Sequence, residues 1–141
     1  MAKELKELKA AVAKRRIAKF RPGWEPLDLK EFSSITEEAA ELVSQVERGE
    51  VDLRNLEEIS EKVAEHLGNH KGSLDLGGLK SLSVGSATSL AGHDGWLHMG
   101  IEELDDDAAL ALSKGTVTLN LTGLKSLNDT PGHIALAGKL V

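Results

Sequence analysis

The feature that most constrains the fold of this chain is an apolar pattern that recurs five times, at intervals of 22 to 24 residues. In each copy, two apolar residues flank one variable position, and two further apolar residues follow at spacings of two or three. The copies are Leu27-Leu29-Phe32-Ile35, Val51-Leu53-Leu56-Ile59, Leu74-Leu76-Leu79-Leu82, Leu97-Met99-Ile101-Leu104 and Leu119-Leu121-Leu124-Leu127. Self-similarity at a fixed period of this length is typical of a solenoid, in which equivalent units stack on one another. The sequence therefore predicts an α/β solenoid of about five strand–helix units.

Within each unit the apolar spacing changes from that of a strand to that of a helix. The alternating part predicts parallel strands at 27–29, 51–53, 74–76, 97–99 and 119–121, with the middle residue of each facing outward. Typical helix N-cap residues follow each strand, at Thr36-Glu37-Glu38, Ser60-Glu61, Ser83, Asp105-Asp106-Asp107 and Asn128-Asp129. Glycines that we expect to end the helices stand at Gly49, Gly72, Gly95 and Gly115. For the segment 83–89, which is a poor helix former, we expect an irregular turn.

The segment Gly78-Leu79-Lys80-Ser81-Leu82 recurs unchanged at 123–127. With the preceding Leu-x-Leu, it resembles short bacterial leucine-rich repeats of the form Leu-x-Leu-x-Gly-Leu-x-x-Leu-Ser/Asp, and this resemblance covers residues 27–141. It implies strands on one side, helices on the other, and a partner-binding surface on the outward strand positions. The position that the family usually gives to a buried asparagine is apolar here, at Phe32, Leu56, Leu79, Ile101 and Leu124. We therefore expect packing, rather than an asparagine ladder, to hold the turn.

The first 26 residues differ from the rest in charge. The chain has a net charge of -6, which divides into +5 for residues 1–26 and -11 for the remainder. Residues 1–20 contain no glycine or proline and place Leu5, Leu8 and Val12 on one stripe, so they predict a basic amphipathic helix before a Pro/Gly/Trp turn. Three roles remain open for this helix: a cap on the first unit, an arm that docks on another protein, or contact with an anionic membrane or nucleic acid.

The outward strand positions are the candidate binding site. They form a central column of Asp28, Asp52, Asp75, His98 and Asn120, beside which stand Glu50 and Trp96. Stacked aspartates repel unless Lys30 and Arg54, or a cationic partner, neutralise them. An exposed tryptophan is typical of a binding hot spot. Two plainer interpretations stay open: a solvated aspartate column, and a tryptophan that only covers the backbone of Gly77 and Gly100.

The C-terminal unit predicts a second interaction surface. Leu119 and Leu121 belong to the last predicted strand, and Leu140 with Val141 are too few to complete a sixth. An uncovered strand edge pairs readily with another chain, so we expect these four residues to form an assembly edge. The alternative is that Thr118, Asn120 and Thr122 make the edge polar enough to remain solvated.

The search for catalytic and metal-binding patterns predicts neither. The chain has no cysteine, which excludes disulfides and thiolate ligands. His66 and His70 have a spacing that can chelate zinc, but no third ligand follows at a defined distance. An enzyme or metal site built from Asp75, Trp96 and His98 is the weakest hypothesis. We expect no catalytic residues, metal, cofactor or small-molecule substrate. Without a secretory signal or an apolar run of about 20 residues, we expect a cytoplasmic protein.

These patterns favour a non-enzymatic protein–protein interaction module. Its acidic, tryptophan-bearing strand face would bind a basic partner, as an inhibitor or immunity-type protein does, and the net negative charge would speed association. The alternative is a structural subunit of a larger assembly or homo-oligomer. In that case the basic N-terminal helix would contact a neighbouring subunit, an anionic membrane surface or nucleic acid.

Overall fold

The computed structural model describes residues 7–20, 26–46, 49–115, 117–121 and 131–140. Within these ranges the chain forms short strands that alternate with helices. The elements are β1 (Glu7–Leu8), α1 (Ala10–Lys19), β2 (Leu27–Asp28), β3 (Ser34–Ile35), α2 (Glu37–Ser44), β4 (Val51–Asp52), α3 (Glu61–Gly68), β5 (Leu74–Leu76), α4 (Val84–Ala91), β6 (Trp96–Met99), α5 (Asp106–Ser113), β7 (Thr118–Leu121) and α6 (Pro131–Leu140). None of these helices is long and apolar enough to cross a membrane.

Five strands form one parallel sheet in the order β2-β4-β5-β6-β7. Each therefore pairs with the strand of the next unit along the chain, and the five lie at the triplets that the apolar pattern predicted. The register keeps equivalent residues in line, so that Leu74 lies beside Val51 on one side and Leu97 on the other. Helices α2 to α6 pack one on the next along the same direction. The prediction of an α/β fold with parallel strands is thus confirmed.

A continuous apolar core lies between the sheet and the helices. The strands contribute Leu29, Leu53, Leu76 and Met99, which are fully buried. Residues at the position that would hold an asparagine ladder are buried as well, namely Phe32, Leu56, Leu79 and Ile101. The helices contribute mostly small side chains, such as Ala39, Ala64 and Ala109, which allow close packing of one helix on the next.

Helices α2 to α5 begin where the sequence predicted. The side chains of Thr36, Ser60 and Ser83 each accept a hydrogen bond of 3.1 Å from the amide three residues on. The expectation of an irregular turn after Ser83 was wrong, because α4 forms there. Its N-cap satisfies an amide of the first turn, and burial of Ala87 and Leu90 against the neighbouring helices outweighs the low intrinsic helix propensity of the segment. The predicted caps Asn128 and Asp129 lie outside the described residues.

The N-terminal segment differs from the continuous helix that the sequence predicted. The helix begins only at Ala10, and Glu7 and Leu8 form β1, which pairs in parallel with β3. The Thr36 amide donates a 3.0 Å hydrogen bond to the Leu8 carbonyl. Pairing with β3 thus supplies this backbone with partners that a helix would otherwise provide. Leu8 and Ala13 are fully buried, whereas the predicted core residue Leu5 and the turn residue Trp24 lie outside the described residues.

The residues of the predicted assembly edge belong to different elements in the structure. Leu119 and Leu121 are half-buried residues of β7, the last strand in the sheet order. Leu140 lies in α6, so the expected start of a sixth strand was wrong at this residue. A backbone that continues α6 makes its hydrogen bonds within the helix and does not add to the sheet. Val141 lies outside the described residues.

Three glycines occupy the turns that lead from each helix into the next strand. Gly49, Gly72 and Gly95 have φ values of 95°, 122° and 125°. They lie beyond the helix C-caps rather than directly at the helix ends, which corrects the predicted role. A Cβ atom added to Gly72 would lie 2.5 Å from the Gly49 carbonyl oxygen, and one on Gly95 would lie 2.6 Å from that of Gly72. Consecutive turns are therefore stacked too closely for any other residue.

Substitution of Gly72 by alanine tests this stacking. We expect Gly72→Ala to lower the free energy of unfolding by at least about 1–3 kcal/mol, because the new Cβ adds backbone strain at positive φ and overlaps Gly49. Gly92→Ala is the matched control, since its φ is -84° and the nearest atom would lie 3.8 Å away. We expect that control to change stability by less than about 0.5 kcal/mol. Urea denaturation followed by circular dichroism measures both, and equal stabilities would contradict the stacking.

Candidate functional site on the strand face

The register of the sheet brings the predicted site residues into two adjacent rows. We call the first the Trp row, and it consists of Glu50, Ser73, Trp96 and Thr118, each one residue before an aligned apolar position. We call the second the Asp row, and it consists of Asp28, Asp52, Asp75, His98 and Asn120. All seven residues predicted to bind a partner therefore lie on one face of the sheet.

The aspartates of the Asp row hold the turns that end their strands. A carboxylate oxygen of Asp28, Asp52 and Asp75 accepts a hydrogen bond from the amide two residues on, at 3.1, 3.2 and 2.9 Å respectively. This is the Asx-turn geometry, in which an aspartate side chain replaces a backbone acceptor. The turns are therefore not held by packing alone, as the missing asparagine ladder suggested. Three of the aspartates have a structural role.

Basic residues of the following turns neutralise two of these aspartates. Lys30 Nζ lies 3.6 Å from Asp28 Oδ2, and both side chains are exposed. Arg54 makes a closer contact, since its Nη2 lies 2.7 Å and its Nε 3.0 Å from the two carboxylate oxygens of Asp52. The repulsion expected from stacked aspartates is thus relieved within the chain, and these two residues leave little free negative charge for a partner.

Asp52 is not the exposed residue that the strand pattern predicted. Only 4% of it is accessible, because neighbouring side chains, including the half-exposed Arg54, cover it. Burial raises the pKa of Asp52, but the hydrogen bonds and charge of Arg54, with a smaller effect from Lys30, outweigh it and leave the pKa below its usual value. Alternation places a residue on a face of the sheet, but the length of its neighbours decides whether water reaches it.

Asp75 and His98 form a pair on adjacent strands. Oδ1 of Asp75 lies 3.1 Å from Nδ1 of His98 and also accepts the Gly77 amide. The carboxylate thus fixes the orientation of the imidazole. Ser73 lies in the same depression but, within the described part of the chain, makes no hydrogen bond to His98. Among the described residues, no three potential metal ligands come together.

Trp96 stands exposed on β6, the fourth of the five strands in the sheet. Its side chain is 59% accessible and borders a depression of about 190 Å³. The depression is lined by Glu50, Ser73, Leu74, Asp75, Trp96, His98 and Asn120, which include five of the predicted site residues. The atoms nearest to the positions above Gly77 and Gly100 belong to Asp75, His98, Lys80 and Gly77 itself. Covering of the glycines by Trp96 therefore does not explain its position.

Two buried histidines that the sequence patterns did not identify lie in the turns that lead into β5 and β6. His70 and His93, 23 residues apart in equivalent turns, are fully buried. Their rings stack with centroids 5.9 Å apart, His70 Nδ1 lies 2.9 Å from the Val46 carbonyl, and His93 Nε2 lies 2.8 Å from that of Gly72. Each histidine thus ties its turn to the preceding unit. Their recurrence at the repeat spacing was the signal that could have identified them.

His66 and His70, whose spacing can chelate zinc, do not face the same side, because His66 remains half-exposed on α3 while His70 is fully buried. The second ring nitrogens, His70 Nε2 and His93 Nδ1, lack a hydrogen-bond partner in the described part of the chain. Burial lowers the pKa of both imidazoles. The carbonyls of Val46 and Gly72 oppose this shift, as do nearby backbone groups of Ser73 and Trp96. Charge on His93 lowers the pKa of His70 further.

Searches of protein families, curated proteins and solved structures find no match to this chain. The geometry of the strand face is therefore the basis for a functional assignment.

The histidine pair predicts a loss of stability in mild acid. Because the pKa of each is lower in the folded chain than its ordinary value of 6.5, the unfolded chain takes up protons first. The contribution of the pair to the free energy of unfolding should therefore fall as the pH decreases through 6.5. The contribution of Asp52 has the same sign, but it is lost only below its ordinary pKa of 3.8.

Denaturant titrations between pH 7.5 and 5 measure this dependence. We expect the double variant His70→Gln, His93→Gln to be less stable at neutral pH but to show a clearly flatter pH profile. His66→Gln is the control, because this residue lies one turn earlier on α3 and is only half-buried. A double variant with the wild-type slope would show that other groups cause the loss.

Proposed function

We propose that residues 27–141 form a leucine-rich-repeat-like solenoid that acts as a non-enzymatic protein–protein interaction module. The observation that carries this proposal is the exposed indole of Trp96, set in a depression with carboxylates on a flat strand face. Its neighbours in the Trp row, Ser73 and Thr118, are too small to cover it. Tryptophan is enriched among the residues that dominate binding energy at protein interfaces.

The charge of the same face supports a basic partner. The Glu50 carboxylate makes no ion pair or hydrogen bond with any described residue, and Asp75 lies in the same depression. The net charge of -6 adds a long-range attraction for a cationic protein, as in inhibitors that cover a basic active site. Because Asp28 and Asp52 are already paired within the chain, the proposed contact centres on Glu50, Asp75, Trp96, His98 and Asn120.

The N-terminal segment serves in this proposal as a cap on the first unit. α1 packs along α2, and β1 extends the backbone pairing of β3. Arg16 forms an ion pair with Glu31 and lies over the Phe32 ring, with its guanidinium carbon 5.6 Å from the ring centroid. A cation already engaged with the body favours the cap over an arm that contacts a membrane or nucleic acid.

Replacement of Trp96 tests the interaction proposal. A pull-down from native lysate with mass spectrometry identifies a partner, and calorimetry with the purified partner then measures affinity. We expect Trp96→Ala to weaken binding by at least about 2 kcal/mol while thermal stability stays nearly unchanged. Ile134→Ala is the matched control, because this residue is also 59% exposed but lies on α6. Equal affinities of the two variants, or unfolding of Trp96→Ala, would contradict the proposal.

A second candidate function is that of an assembly subunit, which the position of β7 favours. This strand pairs with β6 on one side, and no other described strand pairs with its outer side. Leu119 and Leu121 are only partly buried against the core. An edge of this kind can pair with a second copy of the chain about a two-fold axis.

Light scattering at micromolar concentration tests the assembly candidate. We expect the wild type to form a defined oligomer and Leu121→Lys to be monomeric, because the charge prevents close pairing of the edge. Val84→Lys, which changes an exposed apolar residue on α4, should leave the mass unchanged. A wild-type protein that stays monomeric throughout would exclude self-assembly through β7.

A further inference from the structure

A slot lies between Glu50 and Trp96 on the strand face. Glu50 directly precedes β4, and Trp96 is the first residue of β6. Ser73, which directly precedes β5, occupies the equivalent position between them. Two strand spacings separate the carboxylate-bearing residue from the indole-bearing one, which is about 9–10 Å between backbones. Because the serine side chain is short, the space between the two longer side chains remains open. Asp75 and His98 border the same depression.

The two side chains that border this slot favour the same kind of ligand. Glu50 offers a carboxylate without a partner among the described residues, and Trp96 offers an exposed aromatic ring. A planar cation satisfies both, because it can stack on the ring while its N–H groups donate to the carboxylate. Of the described cations on this face, Lys30 and Arg54 do not occupy the slot, since they are held by Asp28 and Asp52.

We propose that this slot binds one arginine side chain of the protein partner, with the guanidinium against Trp96 and its N–H groups on Glu50. This inference rests on the proposed function. Arginine fits better than lysine, because its guanidinium is planar, donates two parallel hydrogen bonds and is more weakly hydrated than an ammonium group. The depression of about 190 Å³ can hold a guanidinium with part of its aliphatic stem.

The chain contains the same combination of groups within its own fold. The guanidinium of Arg16 lies over the ring of Phe32 and forms an ion pair with Glu31. There the glutamate and the ring belong to consecutive residues, whereas at the slot they stand two strands apart. At the N-terminal site the arginine comes from α1, whereas at the slot no described residue supplies it.

The probe for this proposal is N-acetylarginine methylamide, added to the full chain in a Trp24→Phe background. This substitution leaves Trp96 as the only tryptophan, so a single indole N–H resonance reports on the slot. We expect a saturable shift of that resonance in the millimolar range, a lysine derivative to bind about threefold more weakly, and the neutral citrulline derivative to cause no saturable shift. Glu50→Gln should weaken arginine binding about threefold, the scale of an exposed ion pair.

Glu65→Gln is the matched control, because it removes one negative charge at a site away from the slot. Glu65 lies on α3 and pairs with Lys62. Equal effects of the two glutamate substitutions, or equal shifts with arginine and either the citrulline or the lysine derivative, would overturn the assignment. If the arginine probe fails but Trp96→Ala still loses the partner, the interaction face stands and this occupant is wrong. If the probe binds but Trp96→Ala keeps the partner, the proposed function fails instead.

Discussion

The close stacking of the turns at Gly49, Gly72 and Gly95 determines the arrangement of the strand face. Each glycine directly precedes a residue of the Trp row, so the contact between consecutive glycines also sets the register of Glu50, Ser73 and Trp96. A side chain on Gly72 or Gly95 would push the turns apart. The strands that follow would then lose their alignment, because their pairing starts immediately after the turn. The first bond is donated by the Val51 amide to the Ser73 carbonyl.

The buried histidines stabilise the same turns from inside. His70 and His93 bond to carbonyls of the preceding unit and stack on each other, so the turns are joined both by glycine contacts and by imidazole rings. These hydrogen bonds use only one nitrogen of each ring, and the other nitrogen is buried without a hydrogen-bond partner among the described residues. A buried polar atom of this kind is tolerated while the ring is neutral and becomes unfavourable when the ring is charged. The register of the face therefore depends on groups that respond to acid.

The two rows of the strand face differ in how much of their composition the fold explains. Asp28, Asp52 and Asp75 recur because each closes a turn, and a ligand is not needed to account for them. Glu50 and Trp96 close no turn. A carboxylate without a partner in the described part of the chain and an exposed indole contribute little to the stability of the free chain. These residues, rather than the aspartates, are the ones for which an external partner supplies a physical reason.

The parts of the structure that the sequence predicted are those set by local patterns. Alternation of leucines located the strands, and Thr36, Ser60 and Ser83 located helix starts, because a cap acts only on amides three residues away. The missed features depend on distant parts of the chain. β1 forms only by pairing with β3, and α4 is stabilised by burial between two helices. Asp52 is covered by neighbouring side chains, and His70 is held by a hydrogen bond with the Val46 carbonyl. The row of Glu50, Ser73 and Trp96 could be predicted, but the open slot between them required the side-chain arrangement.

At position 96, the stability of the free chain and the binding of a partner favour different residues. Its row neighbours Glu50, Ser73 and Thr118 are polar, as suits a solvated strand face, and a threonine at position 96 would also suit it. An indole exposes roughly 120 Å² when about 60% of its surface is accessible, and covering that area is worth about 3 kcal/mol. The free chain does not gain this energy, because no described side chain covers the ring. It becomes available only when another molecule covers the ring, and the carboxylates around the depression favour a cationic group for that contact.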